Sequence, residues 1–316
     1  PRPRRAVARR ASWTVPGEAP PRQAADRHDW LYGVFPVLYA LRARHRRFLR
    51  LYTSHAPGGD RRRGPVQPKD ETVRNRAEIF ELAERCRLQI SEVGRRQLDE
   101  LSEMRPHQGF VLKCLPRPLK PLFEMLPSPA PNSLWVALES ITDPINLGSA
   151  LRSSAFYGVG GVLLPRTSAA RMNAVASKTS AGAGEFLPLH SAGDVAEMIA
   201  GAQALGWRVL GGGGEGPKLV SLDEAAETVR ADREAGRLQG VILVLGAEGP
   251  GLTPEAQDAC DALVRIEGGH ASGLDSLNVG VATGIMLHAL RGALGPSPKT
   301  GALGRDDAPR RREADG

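Results

Sequence analysis

The chain has little of what several large protein classes require. Cysteine occurs only at Cys86, Cys114 and Cys260, an odd number at wide spacing that supports neither a disulfide framework nor a CxxC zinc site and points to a reducing interior with buried structural thiols. The histidines, His28, His45, His55, His107, His190, His270 and His288, are scattered with no two at ligand spacing, so no metal centre is expected. Apolar runs such as "GVILVLG" fall far short of the roughly 18 residues that a membrane helix needs. No glycine loop is followed by GK[ST], which excludes a P-loop, and no GxSxG is present to make a serine a nucleophile. What remains is a globular composition, 41% hydrophobic and 24% charged, in 316 residues, enough for two domains.

The net charge of +7 is unevenly placed. Residues 1–63 hold fifteen Arg against four acids, an excess of +11, so the rest of the chain sums to about −4. Within that region "PRPRRAVARRASWTVPGEAPPRQAADR" has seven Arg and only Glu18 and Asp26 as acids. This Arg-rich, acid-poor composition is that of an organelle transit peptide, and the scarcity of Ser favours mitochondria over plastids. The plainer alternative is a basic tail held near RNA by its charge.

From Trp30 the pattern changes. "WLYGVFPVLYALRARHRRFLRLYTS" spaces Val34, Val37, Leu38 and Leu41 as a helix and then runs Phe48, Leu49, Leu51 and Tyr52 as a strand. "AEIFELAERCR" reads as helix, "LQISEV" as strand, "RRQLDELSEM" as helix and "GFVLKCL" as strand, a small α/β domain over residues 28–115. Residues 116–132 are proline-rich and read as a linker that neither helix nor sheet accepts. Beyond it, "LWVALES" (strand), "ITDPINLG" (loop), "SALRSSAFYG" (helix) and "VGGVLLP" (strand) begin a series of strand–helix units of the kind that builds a parallel sheet. That second domain spans 133–292, with Ser221 and Glu224 at capping-box spacing and a final helix from Asn278. Residues 293–316 are Gly, Pro, Arg and Asp rich and read as a disordered tail.

Four stretches invite a chemical reading. "GGGGEG", Gly211 to Gly216, formally satisfies GxGxxG, but Pro217 and Lys218 follow where a helix would have to open, so a flexible loop is the better reading. "DPINLGSALRSSAFYG" puts Asn146 where it can cap a helix and Arg152 about two turns in; "LVLGAEGPGL" ends a buried strand in a glycine-dense loop around Glu248; "DSLNVGVA" brings Ser276 and Asn278 to another helix start. Singly, each has a structural explanation: Asn146 and Asn278 as caps, Glu248 at a helix N-terminus, Arg152 on a solvated face. Together, loops that follow parallel strands gather at one sheet edge, so these residues would line one polar pocket.

In order and spacing these last three stretches resemble the three motifs of the SpoU/TrmH branch of the SPOUT superfamily of RNA ribose 2'-O-methyltransferases, over about 160 residues from Ser133 to Arg291. "ASKTSAGAGEFLPL" is similar to the family's SAGA-containing segment, and "LYGVFPVLYAL" and "HQGFVL" resemble the start and end of its L30e-like RNA substrate-binding domain. The resemblance implies an α/β architecture with a C-terminal SPOUT domain, a parallel sheet and a deep trefoil knot; S-adenosylmethionine as methyl donor without a metal; a homodimer with its active site at the interface; and guanosine in mitochondrial large-subunit rRNA as target, in the matrix. Carried over position by position, backbone groups of Gly246, Ile266 and Leu277 would hold the donor. Asn146, Arg152, Glu248, Ser276 and Asn278 would be the polar functional positions: Arg152 would stabilise the developing alkoxide, since a guanidinium is a bad base for taking the proton, Ser276 and Asn278 would orient the hydroxyl and pin the loop over the donor, and Glu248 would order the glycine loop.

Two departures stand out, Ile266-Glu267-Gly268 where the family usually has Ile-Pro-Met, and Gly280 where Ser is common. Arg42, Arg44, Arg46, Arg47 and Arg50, with Arg61, Arg62 and Arg63, are expected to meet RNA phosphates. The alternative class is a non-catalytic RNA-binding ribosome-assembly factor whose altered loop no longer accepts the donor.

Overall fold

A computed structural model describes residues 28–54, 71–121, 126–165, 171–247, 249–268 and 276–297. The expected transit segment 1–27, Arg61 to Arg63, Glu248 and most of the expected tail lie outside the described residues.

The N-terminal domain runs β1 (Asp29–Tyr32), α1 (Val34–Ala43), β2 (Phe48–Thr53), α2 (Glu71–Arg85), β3 (Ile90–Glu92), α3 (Arg95–Leu101) and β4 (Phe110–Cys114). Its sheet has the order β1-β4-β2-β3, in which β4 is antiparallel to both neighbours and β3 parallel to β2. Strand β1 was not distinguishable in the sequence, because its four residues run directly through Gly33 (φ 99°) into α1 without an intervening polar loop. One sheet face packs Leu31, Leu51 and Leu112 beneath α1 and α2; the other packs Tyr32 and Val111 beneath Leu98 of α3.

The C-terminal domain follows through β5 (Lys120–Pro121), β6 (Ser133–Leu138), α4 (Pro144–Phe156), β7 (Val162–Pro165), α5 (Ala174–Thr179), α6 (Ala183–Phe186), β8 (Leu189–Ala192), α7 (Val195–Ala204), β9 (Trp207–Gly212), β10 (Leu219–Ser221), α8 (Leu222–Glu234), β11 (Gly240–Leu245), α9 (Pro254–Ala259), β12 (Ala262–Arg265) and α10 (Val279–Leu294). Its eight strands have the order β10-β12-β9-β11-β6-β7-β8-β5, and every pairing is parallel. The central strands β6 and β11 are buried along their whole length, as continuous apolar strands covered on both faces must be. Alternate strand residues feed a core with α4, α8 and α10 on one face and a core with α7 and α9 on the other.

The proline-rich linker departs from expectation. Lys120 and Pro121 pair with His190 and Ser191 as an edge strand, a position that tolerates proline because the missing N–H can face the unpaired side. The carbonyl of Pro127 accepts the Trp207 indole N–H at 2.8 Å. The capping box at Ser221 and Glu224 forms in both directions, at 3.2 and 2.8 Å.

The two domains are docked. Tyr39 of α1 packs against Phe186 of α6, ring centroids 5.0 Å apart, and a Cβ on Gly182 (φ +82°) would meet the Phe35 carbonyl at 2.8 Å. Arg46, expected to reach RNA, is instead buried here. Its guanidinium donates to Glu185 at 2.7 and 3.1 Å, to Asp29 at 2.5 Å and to the Met172 carbonyl at 3.0 Å. Both Arg46 and Glu185 side chains are 0% exposed. The local sequence "RARHRRFLR" gives no sign of which arginine turns inward, since the acid that draws it in lies 139 residues away. Arg117, pushed down to about 10 by burial, adds bonds to the carbonyls of Gly184 and Leu187.

All three cysteines are free thiols. Burial pushes Cys114 and Cys260 up to about 12, so both stay protonated and inert near neutrality. In the native protein only half-buried Cys86 is expected to react promptly with an aromatic disulfide reagent at pH 8, the other two following on unfolding; prompt reaction of all three would contradict this packing.

Candidate functional site

Strands β6 and β11 are neighbours, yet the chain leaves β6 towards β7 on one side and β11 towards β12 on the other. Their C-terminal ends therefore flank a point where strand order reverses, the place where open parallel sheets leave a crevice for ligands. The loop after β6 opens α4 and the loop after β11 carries the glycine-rich segment.

Helix α4 begins earlier than the sequence suggested. Asp143 is its N-cap, accepting from the Ile145 N–H at 3.0 Å, and Pro144 occupies the first turn. Asn146 is thus inside the first turn and does not cap; the stretch expected as a loop, "ITDPINLG", holds the start of the helix, with Pro144 at its first position. At α10 the expectation holds in another form: Asn278 is the N-cap, its side-chain oxygen accepting from Gly280 N at 2.9 Å and Val281 N at 3.4 Å. The Asn278 amide nitrogen donates to the side-chain oxygen of Asn146 at 2.9 Å, tying the starts of the two helices together.

The helices then run side by side through a seam of small residues. Ser149 faces Gly280, Ser153 faces Gly284, and Tyr157 meets His288 with rings 5.9 Å apart. A Cβ on Gly280 would come within 2.3 Å of the Ser149 hydroxyl oxygen and 2.6 Å of its Cβ. The departure at Gly280 therefore has a steric reason: Ser149 fills the space that a residue-280 side chain would need. Because the Asn278 cap and its bond to Asn146 act together, Asn278→Ala is expected to cost about 1–2 kcal/mol of stability. In a double-mutant cycle Asn146→Ala should add less on top of it than it costs alone, read by urea denaturation; strict additivity would rule out the coupling.

The glycine loop after β11 is shaped by its own backbone. A Cβ on Gly246 would lie 2.2 Å from the Gly251 carbonyl, so no other residue fits there, and Gly251 N–H closes the turn on the Ala247 carbonyl at 3.0 Å. A buried carboxylate that the sequence reading passed over anchors the far end. Glu139, at the end of β6 and 3% exposed, accepts from the Thr253 N–H and hydroxyl, each at 3.0 Å. Thr253 in turn caps α9. The signal was present as an acid directly after a continuous apolar strand, where burial without a partner would be costly.

Three adjacent strands, β12, β9 and β11, end in loops poor in side chains. A Cβ added at Gly213, Gly249, Gly251 or Gly268 would touch nothing within 4 Å. This edge offers backbone amides and carbonyls to a ligand of mixed polarity. Ile266 is half-buried against the main core, Leu277 is 48% exposed, and Ser276 is exposed beside it. Glu267 of the departing Ile-Glu-Gly triplet turns to a surface ion pair with Arg265 at 3.6 Å. "GGGGEG" splits between the end of β9 and a turn that leads to β10, so no helix opens on it; Gly211 and Gly212 are instead flattened beneath Leu252, Leu263 and Leu245.

Arg152 stands apart. Six residues beyond Asn146 on α4, it is displaced about 9 Å along the axis and roughly two-thirds of a turn around it, and its side chain is exposed. It makes no ion pair or hydrogen bond among the described residues. The two packed helices also leave large apolar side chains exposed: Ile145 (55%) and Phe156 (81%) on α4, and Leu277, Val281 (51%) and Ile285 (38%) at α10.

The expected RNA-binding arginines divide. Arg44 and Arg47 are exposed, Arg42 is held by Glu78 at 2.6 and 2.7 Å, Arg50 lies over the Tyr52 ring at 5.9 Å, and Arg46 is the buried interdomain anchor already described.

Comparison with known proteins places this geometry in context. Residues 133–288 match the model of the SpoU rRNA Methylase family, and residues 30–119 that of an RNA 2'-O ribose methyltransferase substrate-binding domain. The chain is 33% identical over 270 residues to human rRNA methyltransferase 1, mitochondrial, covering 84% of this chain and 73% of that protein. It is 36% identical over 213 residues to the 23S rRNA (guanosine-2'-O-)-methyltransferase RlmB of Pseudomonas aeruginosa, covering 66% and 79%. Among solved structures, the AdoMet-bound rRNA methyltransferase of Sinorhizobium meliloti superposes with a TM-score of 0.64 at 21% identity, over 84% of this chain and 88% of that one.

Proposed function

Because the chain belongs to the SpoU rRNA Methylase family, we propose that it transfers a methyl group from S-adenosylmethionine to the 2'-hydroxyl of a guanosine in mitochondrial large-subunit rRNA, acting in the matrix. The observation that carries the reading is the bond between Asn146 and Asn278 at the sheet crevice, beside the β11 loop that Gly246 and Glu139 shape. The localisation and the base rest on the mitochondrial and guanosine-specific relatives. The family's deep trefoil knot, involving the segments around β11, β12 and α10, is part of the same reading.

The residues fit the donor. The open glycine loops after β9, β11 and β12 accept a ligand through main-chain groups, with Gly246, Ile266 and Leu277 as the holding positions. The donor brings a methyl carbon on a cationic sulfur, which needs alignment more than activation. Asn146 has its oxygen committed to Asn278, which leaves its amide N–H groups for a ribose oxygen. Ser276 and Asn278 hold the hydroxyl at the mouth of α10. Arg152 stabilises the alkoxide as the proton leaves.

Arg152 is exposed on α4, about 9 Å along the axis from Asn146, and α4 and the α10 packed on it also leave Ile145, Phe156, Val281 and Ile285 exposed, which supports a homodimer in which Arg152 works on the partner's substrate. Phe156→Asp combined with Ile285→Glu should shift the protein to monomer in analytical ultracentrifugation and remove methyl transfer; a monomeric native protein would overturn the shared site.

The decisive experiment incubates the protein with methyl-labelled donor and large-subunit rRNA, then digests the RNA. Label on guanosine ribose supports the reading, and label on a base overturns it. Absence of donor binding by calorimetry at millimolar concentration would instead favour the non-catalytic assembly factor.

A further inference from the structure

The sheet face of the N-terminal domain that carries α3 is only partly covered. The register sets Trp30, Lys113 and Arg50 in one row across β1, β4 and β2, and Tyr32, Val111 and Tyr52 in the next. Helix α3 seals Tyr32 and Val111 with Leu98, while Trp30, Lys113, Arg50 and Tyr52 stay half-exposed beyond it. Aromatic rings and cations alternate there. The Trp30 and Tyr52 centroids are 5.8 Å apart; Lys113 lies 5.1 Å over Trp30, Arg50 5.9 Å over Tyr52, and Arg105 and Lys178 6.0 and 5.9 Å from the Tyr32 ring.

Beside this row a cleft of about 200 Å³ opens between the domains, with Trp30, Tyr32, Leu101 and Arg105 on one wall and Asn173 to Val175 on the other. Its acids are ion-paired: Asp29 with Arg46 at 2.5 Å, an arginine it shares with Glu185, and Glu103 with Arg105 at 3.2 Å. Lys113 over Trp30 and Lys178 near Tyr32 make no ion pair among the described residues, and they bring positive charge beside the cleft.

A half-exposed indole in a small cleft with cations beside it matches one chemistry, a flat heteroaromatic base attached to a phosphate. We propose that this interdomain cleft binds an unpaired nucleotide of the RNA substrate, its base against Trp30 and its phosphates near Lys113, Arg105 and Lys178. A duplex does not fit, because paired bases expose edges rather than faces and the cleft holds only about 200 Å³. The site deepens the reading that the chain acts on RNA. Its position also matters to that reading. Asn173 to Val175 lead into α5, and α5 is pressed on α4 so tightly that a Cβ on Gly148 would meet Thr179 at 2.6 Å and the Ala176 carbonyl at 2.8 Å. A nucleotide held in the cleft is therefore at a fixed distance from the helix bearing Asn146 and Arg152.

Trp30 supplies the test. Trp135 and Trp207 are buried, at 8% and 3% exposure, so in a Trp13→Phe background a single-stranded octaribonucleotide should quench fluorescence that Trp30→Phe abolishes. Trp30→Phe, which keeps a stacking ring, should hold the affinity, whereas Trp30→Leu should weaken it by about 10-fold to 100-fold. Lys113→Ala, which leaves the core intact, should flatten the dependence of log affinity on log salt by roughly one ion. Circular dichroism checks that each variant folds; if Trp30→Leu does not, the quenching and Lys113→Ala decide. Unchanged affinity in folded Trp30→Leu, no quenching by the octamer, or equal quenching by a duplex of the same length would overturn the proposal. Donor titration on the same samples separates the two readings: donor binding without quenching sinks the cleft alone, and quenching without donor binding sinks the methyltransferase reading alone.

Discussion

Arg152→Ala is expected to lower kcat for methyl transfer by about 10²–10³-fold, the usual cost of removing a preorganised group aimed at charge that develops in the transition state. Donor affinity should persist, because Arg152 is exposed on α4 and makes no ion pair or hydrogen bond among the described residues. The expected signature is a fall in kcat with KM for RNA nearly unchanged, as for an interaction made only in the transition state. Arg152→Lys keeps the charge but loses the planar fork, so it should recover only part of the rate. The shared-site geometry gives a sharper check. Mixing inactive Arg152→Ala chains with chains inactivated by Asn278→Ala should restore activity in heterodimers, each supplying one intact half. Failure of the mixture, in dimers shown to exchange subunits, would return Arg152 to its own chain's site or remove it from the chemistry.

Breaking the interdomain ion pair is the second large effect. Arg46→Ala leaves the Glu185 carboxylate with no exposed surface and without its two guanidinium bonds, a loss of about 3–5 kcal/mol. Against a typical total of about 5–15 kcal/mol this is a large fraction of the stability of a domain. Glu185→Gln should cost less, because Arg46 keeps Asp29 and the Met172 carbonyl. Calorimetry of the wild type should show the two domains melting together and Arg46→Ala should separate them, with an earlier transition for the N-terminal domain. A single unshifted transition in the variant would mean that the docked arrangement contributes little in solution. The same variant should leave phosphate binding by Arg44 and Arg47 intact, so a collapse of RNA affinity larger than the loss of folded protein would restore Arg46 to the RNA-binding set.

Much of the site was legible because its motifs are local. The apolar runs of β6 and β11, the glycines that permit a tight return after β11, and the Asn at the start of α10 each declare their role within a few residues. Pro144 misled for a local reason as well: proline ends helices in their interior but starts them at the first turn, and only Asp143 beside it tells which applies. Glu139 was overlooked because its partner, Thr253, is 114 residues away.

By itself the sequence determined the two-domain α/β architecture, the parallel sheet and the segments from which the crevice is built, since periodicity, capping and turn residues act over short range. Only the tertiary structure decided which arginine of a basic run is buried, that part of a proline-rich linker becomes an edge strand, that Ser149 takes the room of a residue-280 side chain, and that Asn278 bonds to Asn146. Those outcomes depend on burial and on pairs separated by many residues, where desolvation and steric exclusion outweigh local preference.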